Sequence, residues 1–278
     1  MTTAAPAASA PSTSTSAQAL AGRMADITVT DVAKHYGTAE RSVVAMSGVT
    51  LHVESGEFVA VVGASGCGKS TLLRILAGFE KATTGTVKVG GVEVTAPSSD
   101  RGVVFQDYGL FPWLTTRENV MFGPKQRGLG RKAAGEIADR FIETVGLTKV
   151  ASKFPGELSG GMQQRVAIAR VLANDPALLL MDEPFGALDA LTRSDLQIEL
   201  RRIHRETRTT VLFVTHSIEE AVFLADRVVV MTGGASHGTP GHIRSIITVE
   251  LPEERDVTSA EFNEVKRSIS ELVHEGSN

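Results

Sequence analysis

Apolar positions follow two rhythms along this chain. Residues 27–32 alternate apolar with polar, and residues 49–53 do the same, the period of two expected when one face of a strand lies on a core. Residues 86–94 divide into two more short strands across Gly90-Gly91, a pair suited to a hairpin turn. These patterns predict an antiparallel β layer near the N-terminus. From residue 58 the alternation gives way to unbroken apolar runs of strand length, at 58–62, 178–181, 211–214 and 228–231. Such runs belong to strands covered on both faces. Helical periodicity separates them, at 71–77 before Gly78, at 188–206 and at 218–224. Strand and helix in turn predict an α/β fold with a mostly parallel, doubly wound sheet.

Between residues 107 and 174 the strand signal fades and helices dominate, notably at 132–145 and 161–172. A helical subdomain over 107–174 is therefore expected inside a domain spanning 24–247. In the extension over 248–278, Thr258 and Glu261 have capping-box spacing, and Phe262, Val265, Ile269 and Leu272 share one helical face. Residues 1–23 are mostly Ala, Ser, Thr and Pro and are expected to be disordered; they lack the charged start and apolar block of a secretory leader.

Composition narrows the classes. Of 278 residues, 42% are hydrophobic and 22% charged, enough apolar material for a proper core. No apolar run approaches the roughly 18–20 residues that cross a bilayer, so any work at a membrane is done from its side. The single cysteine, Cys67, excludes an intrachain disulfide and fits a reducing compartment. A formal net charge of -4 gives no global sign of a nucleic-acid partner.

The chemistry begins at Gly63-Ala64-Ser65-Gly66-Cys67-Gly68-Lys69-Ser70, a full match to the phosphate-loop pattern, placed after a buried strand and opening a helix that continues at Thr71. Glycines let backbone N–H groups turn inward around phosphate oxygens, and the helix N-terminus adds favourable potential. Lys69 supplies positive charge to the β- and γ-phosphates of ATP, and Ser70 offers a hydroxyl to Mg²⁺. Cys67 reads as a small filler of the loop. Residues 178–183 form a buried strand ending in two carboxylates at the end where parallel sheets bind ligands. Asp182 suits the Mg²⁺ shell, and Glu183, pointing the other way, suits a base for attacking water.

Leu158-Ser159-Gly160-Gly161-Met162-Gln163-Gln164-Arg165 resembles the LSGGQ-type signature of ABC ATPases, with Met162 preceding the glutamine. The resemblance covers residues 27–235 and implies a P-loop NTPase of ABC type: the doubly wound sheet, the N-terminal antiparallel layer and the inserted helices. It implies that Ser159, Gly160, Gly161 and Gln163 serve a nucleotide held by a second copy of the chain. Further residues match the family pattern in order. Tyr36 resembles the aromatic that stacks on adenine, although a tyrosine alone is more often plain core or surface. Gln106 resembles the glutamine that senses Mg²⁺ and water and links to the membrane partner, Asp189 the aspartate at the dimer seam, and His216 the switch histidine on the γ-phosphate.

In residues 109–114, large apolar side chains including Trp113 gather in an expected loop, either as core of the helical part or as an exposed socket for a helix of a membrane subunit. The wording of residues 110–120 and 182–193 is most similar to the ATPases of nitrate, sulfonate and taurine importers. That resemblance implies transmembrane permease subunits and, indirectly, a substrate-binding protein as partners, no nucleic acid, and a peripheral place on the cytoplasmic face of the inner membrane. Two alternatives stand beside it. A soluble relative in DNA repair or chromosome maintenance would carry long coiled-coil insertions between phosphate loop and signature, and none is present. A regulatory ATP-holding module would not need Glu183 and His216.

Overall fold

The computed structural model describes residues 24–38, 41–186, 188–234 and 238–275; the tail expected to be disordered over 1–23 lies outside the described residues. The chain opens with β1 (Ile27–Thr38) and β2 (Arg41–Val53), then β3 (Phe58–Gly63) and helix α1 (Lys69–Ala77). A hairpin follows, β4 (Thr84–Val89) and β5 (Val92–Glu93), then β6 (Arg101–Val104). Three helices come next, α2 (Thr116–Gln126), α3 (Arg131–Thr144) and α4 (Gly160–Leu172). The chain returns through β7 (Leu178–Asp182), α5 (Ala190–Thr207), β8 (Thr210–Val214), α6 (Ile218–Leu224), β9 (Arg227–Gly234), β10 (Thr239–Thr248) and α7 (Ala260–Glu275).

Among the described residues the strands join into one sheet, ordered β5-β4-β1-β2-β10-β9-β3-β8-β7-β6. From β9 to β6 every neighbouring pair is parallel, whereas β2, β1, β4 and β5 pair antiparallel. The unbroken apolar runs do what their pattern requires. Phe58, Ala60 and Val62 of β3 face one core with Leu179, Phe213 and Val228. Val59 and Val61 face a second core with Leu180, Leu212, Val229 and Leu72 and Leu76 of α1. A period of two sends successive residues to opposite faces, so a strand covered on both sides is apolar throughout.

Three elements were not legible individually. Helix α2 has Pro124 inside it and sparse apolar spacing, yet Thr115 and Glu118 form a complete capping box that marks its start. Strand β6 is too short to stand out. Strand β10 contains Pro240 and Gly241 and is half exposed, so it has no apolar run; pairing with β9 creates it. It also joins the expected antiparallel layer to the parallel strands, because Gly241 pairs with Met46. The C-terminal helix needs a correction of one residue. Ser259, not Thr258, caps it, Oγ accepting from Phe262 N–H at 3.1 Å, while the Thr258 hydroxyl donates to Asp256.

That helix is part of the core: Phe262 is 1% and Ile269 0% exposed, against the face that also carries Phe58. Phe262→Ala is expected to cost about 3–5 kcal/mol, the usual range for a fully buried phenylalanine. Denaturant unfolding checks this, and an unchanged midpoint would show that the helix does not dock.

Candidate functional site

Strand β3 ends at Gly63, and the chain folds over residues 64–68 to start α1. A Cβ on Gly63 would lie 2.2 Å from the Met231 carbonyl oxygen of β9, and φ is +151°, so only glycine fits. Lys69, 7% exposed, turns its ammonium into the loop and donates to the carbonyls of Gly63 at 2.8 Å and Ala64 at 3.0 Å. Ser65 and Gly66 form the exposed tip. Helix α1 begins with neither a side-chain cap nor an acidic residue in its first turn. Its first N–H groups therefore face outward beside a buried cation, the arrangement that takes phosphate. Cys67 is buried and burial pushes its thiol up, so it remains a neutral filler. Tyr36 on β1 is 40% exposed; its hydroxyl donates to Glu80 and lies 3.5 Å from that of Thr71, and Lys34 Nζ lies over its ring at 5.0 Å from the centroid.

Parallel register brings the second half of the site alongside. Val61 of β3 is opposite Val214 of β8, and Val214 is opposite Asp182 of β7. The Ser70 hydroxyl donates to Asp182 Oδ1 at 3.1 Å. Burial raises the Asp182 carboxyl above its ordinary range, the Ser70 bond opposes this, and the charge of Glu183 adds to it. A hydroxyl and a carboxylate that resists ionisation alone make a pair of hard oxygens suited to Mg²⁺, which is held by few protein ligands. Glu183 turns away with φ +46°, its N–H bonded to the Val214 carbonyl. Its Oε2 lies 3.3 Å from His216 Nδ1. Gln106 reaches the same place: a Cβ on Gly186 would be 3.5 Å from Gln106 Nε2 and 4.0 Å from Glu183 Oε2.

The signature segment lies apart. Ser159 caps α4, its Oγ accepting from Met162 N–H at 3.4 Å, and Ser159 and Gly160 are exposed. Gly161 is buried instead: a Cβ there would be 2.2 Å from Thr192 Cγ2, so the glycine admits close packing of α4 on α5. Gln163 is also turned inward, its amide donating to the carbonyls of Pro155 at 3.1 Å and Leu158 at 3.2 Å, so in this structure it braces the loop rather than standing free. Asp189 caps α5, accepting from Thr192 N–H at 3.0 Å, a bond that holds its carboxyl below the usual range. Among the described residues no hydrogen bond or ion pair joins 159–163 to 63–71. The neighbours of the signature are Tyr108, Leu188 and Thr192.

A groove of about 600 Å³ runs between β6, α2 and α4, lined by Phe105, Phe111, Phe122 and Arg170 among others. Trp113 is 71% exposed with its ring 5.6 Å from that of the lining residue Phe111, and Phe111 packs on Phe122 with centroids 4.5 Å apart. The loop is rigidly held: Asn119, fully buried, accepts from Phe111 N–H and donates to the carbonyls of Phe111 and Leu114. Residues 109–114 divide between the two readings: Leu110 packs against the core, whereas Pro112 and Trp113 are exposed. Sequence reasoning missed Tyr108, Arg193, Thr215 and Glu220. The Ser217-Ile-Glu-Glu220 spacing of a capping box was the available signal for the last.

A phosphate loop, an acid at the neighbouring strand end and a polar glutamate–histidine pair define a P-loop nucleoside triphosphatase. The model of the ABC transporter family matches residues 46–186. The chain is 51% identical over 229 residues to an uncharacterized ABC transporter ATP-binding protein of Methanocaldococcus jannaschii, covering 82% of this chain and 84% of that one. It is 46% identical over 239 residues to a nitrate import ATP-binding protein of Synechocystis, covering 86% and 88%. A bicarbonate transport ATP-binding protein of Synechocystis is 49% identical over 234 residues, covering 83% and 82%. The solved dimeric structure of an ATP-binding cassette in a post-hydrolysis state bound to ADP and Pi superposes with a TM-score of 0.68 at 31% identity, covering 81% of this chain and 99% of that one. The chain belongs to the ABC transporter family as an ATP-binding subunit, an ATPase.

The Gly161–Thr192 contact gives a direct check. Gly161→Ala is expected to destabilise the chain by about 1–3 kcal/mol, as overpacking does. Thr192→Ser deletes the methyl that the new Cβ would strike. Thermal unfolding of the double variant should recover most of the loss, and no recovery would mean that the two helices do not meet there.

Proposed function

We propose that this chain is the motor of a membrane importer for a small anion or sulfonate, of the nitrate, sulfonate or taurine type, working as a pair of copies that close on two ATP molecules. The reading rests on one observation: the phosphate loop and the signature are both formed, yet lie apart in one chain. A signature that faces outward at a capped helix start can complete a nucleotide site only on another copy. Ser159 and Gly160 would then grip phosphates held by Lys69 of the opposite copy.

Within each site the residues divide the work. Lys69 and the start of α1 bind the phosphates, and the exposed face of Tyr36 supports the adenine. Ser70 and Asp182 would hold Mg²⁺, with Gln106 near it; the ion supplies charge stabilisation to the transferring phosphoryl. Glu183 accepts the proton of attacking water, and His216, 3.3 Å away, orients that carboxylate and faces the γ-phosphate. The exposed groove with Trp113 suits a short apolar helix of a permease. Among the described residues no helix is long and apolar enough to span a bilayer, so the span would come from that partner and this chain would sit on the cytoplasmic face. Relatives named for nitrate and for bicarbonate both handle small inorganic anions, which supports the cargo class; its selection, with a binding protein, lies on other chains.

Glu183→Gln is the decisive variant. ATP turnover should fall by about 10²–10⁴-fold, the usual contribution of a positioned base, while ATP binding persists. With MgATP this variant should elute as a dimer in size-exclusion chromatography; a monomer under those conditions overturns the paired reading. Trp113→Ala should leave turnover of the purified chain unaltered and abolish its recovery with permease-containing membranes.

A further inference from the structure

Nothing in the catalytic reading uses Arg193, Thr215 or Glu220, yet Thr215 and Glu220 are buried beside His216 and the partly exposed Arg193 closes over Glu220. Glu220 is 6% exposed and Thr215 1%. The Thr215 hydroxyl donates to Glu220 Oε2 at 2.6 Å and accepts from Ser217 N–H at 3.0 Å. Ser217 Oγ in turn accepts from Glu220 N–H at 3.3 Å. These bonds clasp both residues flanking His216, so Glu220 fixes the turn that presents the imidazole. On its other side Glu220 Oε1 faces Arg193 Nε at 3.7 Å, within ion-pair range. That distance is too long for a hydrogen bond, and Arg193 Nε is buried with no such partner.

Arg193 belongs to the first turn of α5, the turn on which the signature rests. Its other guanidinium arm donates to the Leu188 carbonyl at 2.8 Å. Leu188 Cδ2 would lie 3.7 Å from a Cβ on Gly160, and Thr192 packs directly on Gly161. A path of neighbouring residues therefore runs from the signature glycines, through Leu188 and Thr192, to Arg193, Glu220, Thr215 and His216, its loosest step being the 3.7 Å ion pair of Arg193 and Glu220.

We infer that the Arg193–Glu220 contact couples the two ATP sites of the paired protein, by transmitting the position of the signature of one copy to the switch histidine of that same copy. This rests on the paired reading above. There the signature touches one nucleotide and His216 the other, so a path inside one chain connects two separate sites. Pressure on Gly160 and Gly161 when the opposite nucleotide is gripped moves the first turn of α5. A shift of less than an ångström brings Arg193 Nε into hydrogen-bond range of Glu220 and stiffens the turn carrying His216. Arg193 and Glu220 are positioning residues: they touch neither nucleotide nor attacking water.

The test is steady-state ATP hydrolysis by the full chain as a function of MgATP. Arg193→Met keeps the apolar stem and removes the charge; Glu220→Gln keeps the acceptor for Thr215 and removes the ion pair. Each should lower kcat roughly tenfold, change KM less than about twofold, and bring the Hill coefficient from near two towards one. Because both act through one contact, the double variant should be no worse than either single one. Arg193→Lys should restore much of the cooperativity, which a purely architectural role for the stem would not require. Independent, multiplying losses in the double variant overturn the inference, as does an unmodified chain with a Hill coefficient of one. A fully inactive unmodified chain would sink the functional reading itself. A cooperative parent with an indistinguishable Arg193→Met variant would sink only the coupling.

Discussion

Strands β3, β8 and β7 run in parallel with Val61, Val214 and Asp182 at one level, and nearly every feature of the site depends on that register. It brings the phosphate loop, which grows from the end of β3, beside the acid at the end of β7. A slip of one residue would send every side chain of a strand to the opposite face. Such a slip would exchange the two cores, because Val59 and Phe58 serve different ones. The burial that makes these strands stable is therefore also what fixes the reacting groups to within a hydrogen bond of one another.

Placing the charges there has a cost that the fold distributes. Lys69 donates to the carbonyl oxygens of Gly63 and Ala64 and, among the described residues, forms no ion pair. Asp182 sits where burial disfavours its charge. Glu220 is held the same way, its carboxyl raised by burial and eased by the Thr215 hydroxyl and by Arg193. Lys69 and Asp182 are ready for an opposite charge that arrives from outside, which is the condition for binding energy to be expressed on ligand contact rather than consumed in folding, whereas Glu220 has its counter-charge in Arg193.

The first turn of α5 is the mechanical centre of the molecule. Asp189 caps it, Gly161 of the neighbouring helix lies on Thr192, and Arg193 reaches Glu220. A capped and tightly packed turn moves as a unit, because interiors of this density do not deform smoothly. The docked C-terminal helix adds to this rigidity, since Lys266 pairs with Glu219 of α6 at 3.0 Å.

Local chemistry was readable from the chain alone. The glycine loop ending in Lys69-Ser70, the Asp182-Glu183 pair after four apolar residues, and the Ser159 cap are each contiguous, and their physics is local: turn, strand end, helix start. So were the two-sided strands, because their pattern records burial on both faces. What the chain could not reveal depends on residues distant in sequence. Strand β10 exists only through β9, and its bridge to β2 merges two sheets. That Gly161 must also be a glycine to let Thr192 pack on it, and that Gln163 is held by the carbonyls of Pro155 and Leu158, are facts of packing that the motif does not carry. The Arg193–Glu220 contact joins residues on different helices that share no pattern. Periodicity and motif report what a residue needs from its neighbours in the chain; the partner that meets that need across space is chosen only when the layers pack.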